Sequence, residues 1–149
     1  MLFAVKYYPG GTVAAVGDHE LWVFNKKGSI QQKHSYKDQQ LSGFAFGDSA
    51  VSVVLRDFGG TENGTLMTVN PSGDKAYDLQ YAGTFRDISS YNSGVLLLTS
   101  DKLYYIDSGG LKYSSEVTRD GRMVSALDKK VVVLGLTSLY ETNLPTKLA

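Results

Sequence analysis

The side chains with which this 149-residue chain could do chemistry are few and scattered. Asp18, His19 and Glu20 stand side by side, and all three residue types ligate metals. Adjacent residues on an extended chain point to opposite sides, however, so the triplet reads as a polar hairpin loop. No metal or cofactor site is assigned to it. The second histidine, His34, lies in the polar segment Gln31–Tyr36 and is expected to face solvent. Asp101, Asp107, Asp120 and Asp128 could supply a carboxylate pair for acid–base work. Each lies at a strand end beside a turn, where Asp caps backbone groups, and no spacing puts two on one site. Gly10-Gly11, Gly59-Gly60 and Gly109-Gly110 are turn glycines. None belongs to a phosphate-cradling loop, a serine elbow or a calcium loop. Asn63-Gly64-Thr65 fits an N-glycosylation acceptor, but Asn-Gly is also the strongest hairpin signal, and the turn is preferred. There is no cysteine, which excludes disulfides, thiolate metal sites and a cysteine nucleophile. No catalytic residue is nominated.

Charge narrows the partners. Fifteen basic and fifteen acidic side chains cancel to a net charge of zero. A nucleic-acid partner requires a basic excess or a basic stripe, so none is expected. Lys26-Lys27 and Lys129-Lys130 read as solvated turn charges. Residues Met1 to Pro9 lack the basic and apolar regions of a secretory signal. The longest apolar runs, such as Val131 to Leu134, are too short to cross a bilayer, so this segment is not expected to insert into a membrane.

The elements that must position these groups have a period of two. Thr12–Val16, Ala50–Leu55, Val95–Leu98 and Val131–Leu134 are short, rich in β-branched or apolar residues, and bracketed by Gly, Asp, Asn and Ser. No window has helical spacing with caps. The chain is therefore all-β. It also repeats. Leu21, Phe24, Asn25 and Gly28 match Leu66, Val69, Asn70 and Gly73, and again Leu103, Ile106, Asp107 and Gly110. A weaker copy runs from Leu139 to Asn143. The leucines lie 45, 37 and 36 positions apart, and one extra loop, Arg56–Asn63, accounts for the longer first interval. In each turn the Asx side chain caps the backbone and the glycine takes a positive φ.

Ahead of each Leu strand lie two others, and a more polar one follows, giving units of four antiparallel strands, A to D. A four-stranded sheet cannot bury both faces alone, and stacking around an axis buries them. The expected fold is a β-propeller with blades at about 1–37, 38–82, 83–119 and 120–149, the last incomplete, forming a half-ring or partial propeller. The chain opens on an A strand and stops within or before a D strand. It is thus expected either to be part of a larger propeller or to self-associate, two chains completing one ring.

The Leu-x-x-apolar-Asn/Asp-x-x-Gly repeat resembles the blades of quinoprotein-like and YVTN-like β-propellers. It is also similar to uncharacterised Gram-positive surface proteins built from such repeats. The resemblance implies a scaffold for binding, in a bacterial extracytoplasmic setting at the cell surface. The Gly-His start and Trp-Asp end of WD repeats are missing, Trp22 being the sole tryptophan. The recurrent tryptophans of the quinone enzymes are missing too, so no cofactor or activity is carried over.

In a propeller the B–C and D–A connections share one face, and such loops carry binding. There Arg56, Phe58 and Glu62 of the long loop, His19, Arg119 and Arg122 are the candidate ligand-binding residues, since aromatics mixed with Arg suit recognition. The function expected is a non-catalytic scaffold for a protein or glycan. The alternatives are a hydrolase or lyase with its site at the channel mouth, and a structural spacer.

Overall fold

A computed structural model of the protein describes residues 1–60 and 62–149. Thr61, inside the Arg56–Asn63 loop, lies outside the described residues. The rest is β-structure in four antiparallel sheets. The first contains β1 (Leu2–Tyr7), β2 (Val13–Gly17), β3 (Glu20–Phe24) and β4 (Ile30–Ser35). The second contains β5 (Gln39–Phe46), β6 (Val51–Asp57), β7 (Gly64–Val69) and β8 (Lys75–Tyr81). The third contains β9 (Phe85–Tyr91), β10 (Gly94–Thr99), β11 (Lys102–Ile106) and β12 (Lys112–Glu116). The fourth contains β13 (Met123–Leu127), β14 (Lys130–Leu134) and β15 (Leu139–Asn143). Within each sheet the strands follow chain order, as in a meander.

The recurring turn works as its residues dictate. Asn25 Oδ1 accepts hydrogen bonds from Lys27 N at 2.9 Å and Ser29 N at 3.1 Å. Asp107 Oδ1 does the same for Gly109 N and Leu111 N, both at 2.9 Å. Gly28, Gly73 and Gly110 take φ of 82°, 94° and 86°, values that cost an L side chain dearly. The fourth copy has no such glycine. After Asn143 come Leu144 and Pro145, and proline offers neither a positive φ nor an N–H. The hairpin does not form. Instead β16 (Lys147–Leu148) crosses to the third sheet and pairs with the edge of β12.

Three apolar layers join successive sheets. The first unites Val16, Leu21 and Val23 with Val51, Val53 and Val69. The second sets Val54 and Leu66 against Leu97 and Ile106. The third sets Leu96, Leu98 and Leu103 against Val124, Val131 and Val133. Strand alternation therefore gives each inner sheet two buried faces, one toward each neighbour. In β10 all six residues are buried, whereas β14 alternates buried and exposed because only one of its faces is covered.

Polar side chains hold the sheets together at their outer strands. His34 departs from the solvent-facing expectation: it is half-buried, and its ring Nε2 lies 2.7 Å from the carbonyl of Gly73 in the next sheet. Gln31 donates to Ser72 O at 2.6 Å, and Lys112 to Gln80 O at 2.8 Å. The partners of His34 and Gln31 lie in a turn about 40 residues away and that of Lys112 in β8, 32 residues back, so a polar pattern along one strand could not reveal them.

Three buried phenols set the alkaline limit of the fold. Burial, with Asp48 adding to it, pushes Tyr8 up to about 12. Burial also pushes Tyr81 up to about 12 against the opposing pull of Arg56, and raises Tyr36. In the unfolded chain they ionise near pH 10. A folded-state value raised above the unfolded one contributes stability that is whole below about pH 10 and is lost as pH rises through about 12. Urea midpoints should stay level up to about pH 10 and fall above it. Tyr36→Phe should soften the fall. A level midpoint through pH 12 would contradict the burial of these hydroxyls.

Candidate functional site

Four of the six nominated residues, His19, Phe58, Arg56 and Arg119, line clefts at three junctions between sheets, and the six do not converge on one point. At the first junction His19 and Phe58 come together. With Phe3, Asp18, Gln39, Gln40 and Leu41 they line a cleft of about 260 Å³. His19 is exposed and lies 3.7 Å from Asp18. That carboxylate accepts a 2.7 Å bond from the terminal ammonium of Met1, which holds Asp18 below the usual carboxylate range. Phe58 is 65% exposed, a large apolar ring left in solvent at the rim.

Arg56 belongs to the second junction. It sits at the end of β6, in a cleft of about 320 Å³ with Leu41, Ser42, Asn63, Tyr81, Thr84 and Phe85. Its guanidinium donates to Gly60 O at 3.3 Å and to Gln40 Oε1 at 3.4 Å. Arg56 Nε and Ser42 Oγ are buried with no hydrogen-bond partner among the described residues. Buried donors left unpaired are costly, so this cleft suits a ligand that brings acceptors. Asn63 takes φ 68° at the end of the long loop and donates its backbone N–H to Gly83 O at 2.9 Å. Gly64 already begins β7 without a positive φ, so the pair closes a longer loop and is not the two-residue hairpin turn that Asn-Gly signals.

Arg119 marks the third junction. Its guanidinium lies 5.4 Å from the centroid of the Tyr140 ring, a cation–π stack. Both line a cleft of about 220 Å³ together with Ser115, Glu116, Thr118 and Thr142. Arg122 stays out of that cleft. It is exposed and pairs with Asp120, Nε to Oδ1 at 3.1 Å. The N–H of Leu136, then Arg122, hold the Asp120 carboxyl below its ordinary range. Glu62 is exposed and lines none of these clefts.

Several lining residues escaped the sequence reading. Phe3, Gln40, Phe85 and Tyr140 come from A and C strands, where a residue reads as core rather than as cleft. Tyr81, at the end of the second D strand, lines the second cleft, whereas Tyr36 at the equivalent place in the first blade is buried and lines none of the three. Among the described residues no three His, Cys, Asp or Glu side chains gather where they could hold a metal ion. No helix among them is long and apolar enough to cross a membrane.

A family model matches residues 1–142. The chain belongs to DUF5711, a family of unknown function. No curated protein matches this DUF5711 chain. Among solved structures it superposes on BBS1N, determined in complex with ARL6DN. The TM-score is 0.69 at 13% identity, over 100% of this chain and 48% of that one. It superposes on the Pan2 WD40 domain of Neurospora crassa with TM-score 0.60 and 15% identity, covering 99% and 46%. For BamB from Moraxella catarrhalis the values are 0.58 and 10%, covering 89% and 40%. At such identities the likeness is one of fold. The DUF5711 chain is an all-β partial propeller, its four sheets are blades, and it spans less than half the length of these structures.

Proposed function

We propose that the chain is a non-catalytic propeller scaffold that binds a protein or glycan across the face carrying the three clefts, and that two copies associate. The observation behind this reading is the row itself. Successive blade junctions open on the same side, and the first three hold Phe58, then Arg56 with Tyr81, then Arg119 over Tyr140. Phe58 is exposed, Tyr140 half-buried and Tyr81 buried in the Arg56 cleft, and aromatic side chains set beside guanidinium groups are the residue types that carry binding energy at recognition surfaces. BBS1N, determined in complex with ARL6DN, supports it by likeness of fold. The resemblance to repeat-built surface proteins supports a place at a bacterial cell surface.

The test starts from a ligand selected on a glycan array and a peptide display library with the wild-type chain. Phe58→Ala and Arg119→Ala are each expected to weaken it about tenfold or more. Lys129→Ala, in the β13–β14 turn on the opposite side, is expected to leave it unchanged. The reading is overturned if no ligand emerges, or if Lys129→Ala is the variant that loses it.

A further inference from the structure

Each inner blade has a trailing face against the next blade and a leading face against the previous one. The repeated leucine belongs to the trailing face. Leu21, Leu66 and Leu103 are 0%, 0% and 1% exposed, packed against the following blade. Leu139, the same motif position in the fourth blade, is 67% exposed. Its cross-strand partner Leu134 is 44% exposed and that residue's partner Met123 57%. The other apolar motif position belongs to the leading face. Val69 and Ile106 are fully buried against the preceding blade, while Phe24 of the first blade is only half-buried. Beside it lie Trp22, half-buried, and Val5 and Tyr7, 51% and 75% exposed.

The two unpartnered faces are therefore the two halves of one contact that the chain makes three times internally. We propose that a second copy of this chain docks head to tail, the leading face around Val5, Tyr7 and Trp22 of each copy seated on the trailing face around Leu139, Leu134 and Met123 of the other. This rests on the self-association in the reading above and specifies which faces meet. A leading face is what covers that leucine at every internal junction, and the only unpartnered leading face among the described residues is that of the first blade. The solved propellers also fit, because this chain covers 40% to 48% of them and one further copy supplies an arc of equal size. A twofold pair with both joins made has eight blades, within the range of closed propellers.

Light scattering over a dilution series is expected to give the mass of two chains. Val5→Lys and Leu139→Glu alter opposite ends, and each alone is expected to raise the dimer dissociation constant about thirtyfold or more. Mixing the two variants should restore pairing, since one join is then wild type and the other sets Lys against Glu. If either variant fails to fold by circular dichroism, Tyr7→Lys and Leu134→Glu place the same charges on the same faces. A single-chain mass for the wild type sinks self-association altogether. A dimer weakened by one variant only, a mixture that stays dissociated, or open chains of many copies sinks the head-to-tail ring alone.

Discussion

Leu66→Ala is expected to lower the free energy of unfolding by about 2–5 kcal/mol, in the upper part of that range. Leu66 is fully buried between the second and third blades, in a layer with Tyr81, Leu97, Tyr104 and Ile106. Truncation removes its contacts and leaves a cavity, and the cost depends on how far the surroundings relax into it. Here they relax little. The Leu66 backbone is fixed on both sides, opposite Val54 in β6 and Leu79 in β8, so β7 cannot slide inward without breaking two ladders. Urea unfolding would show the midpoint falling with an unchanged slope. Leu66→Met, which conserves volume, is expected to cost less than about 1.5 kcal/mol. An alanine variant within about 0.5 kcal/mol of wild type would mean that these blades do not pack on each other.

Gly64→Ala is the second large effect, by the opposite mechanism. A Cβ there would lie 2.2 Å from the carbonyl oxygen of Leu55 and 2.5 Å from the Tyr81 hydroxyl. Neither neighbour can yield cheaply. The Leu55 carbonyl belongs to the β6–β7 hairpin, and Tyr81 is 3% exposed at the floor of the second cleft. Overpacking of this kind costs about 1–3 kcal/mol, and backbone contact puts this case at or above the top of that range. Because Tyr81 must move, the Arg56 cleft changes with it. Removing the obstacle checks the cause: in a Tyr81→Phe background part of the loss at Gly64→Ala should return. A Gly64→Ala protein as stable as wild type would show that the hairpin closes differently.

The reasons some features were legible, and others not, follow from how far apart their determinants lie. Asn25, Asn70 and Asp107 each precede a glycine by three positions, and all three turns form within those few residues. The B strands are nearly all apolar, and in β10 every residue is buried. His34 could not be read in this way. Its neighbours along β4 are polar, and the carbonyl it meets belongs to Gly73, 39 positions on. Nor could the path of residues 144–149. Pro145 signals that no hairpin follows, but the choice of β12 as the receiving edge depends on where the third blade lies. The candidate residues stand between these cases. Placing them on one face follows from strand order, whereas that Arg119 meets the Tyr140 ring and Arg122 meets Asp120 is seen only in the folded chain.

Strand order, turn chemistry and the repeat are local properties, written in apolar alternation and in Asx and glycine positions, and they define four small sheets. Which faces of those sheets are covered is a matter of neighbours. Leu103 and Leu139 occupy the same place in the motif, yet one is 1% exposed and the other 67%. The difference arises because burial is decided by the sheet that arrives opposite, and the fourth blade has none in this chain. The same holds for the clefts. The three described above lie between neighbouring blades, and their walls come from segments that are distant in the chain.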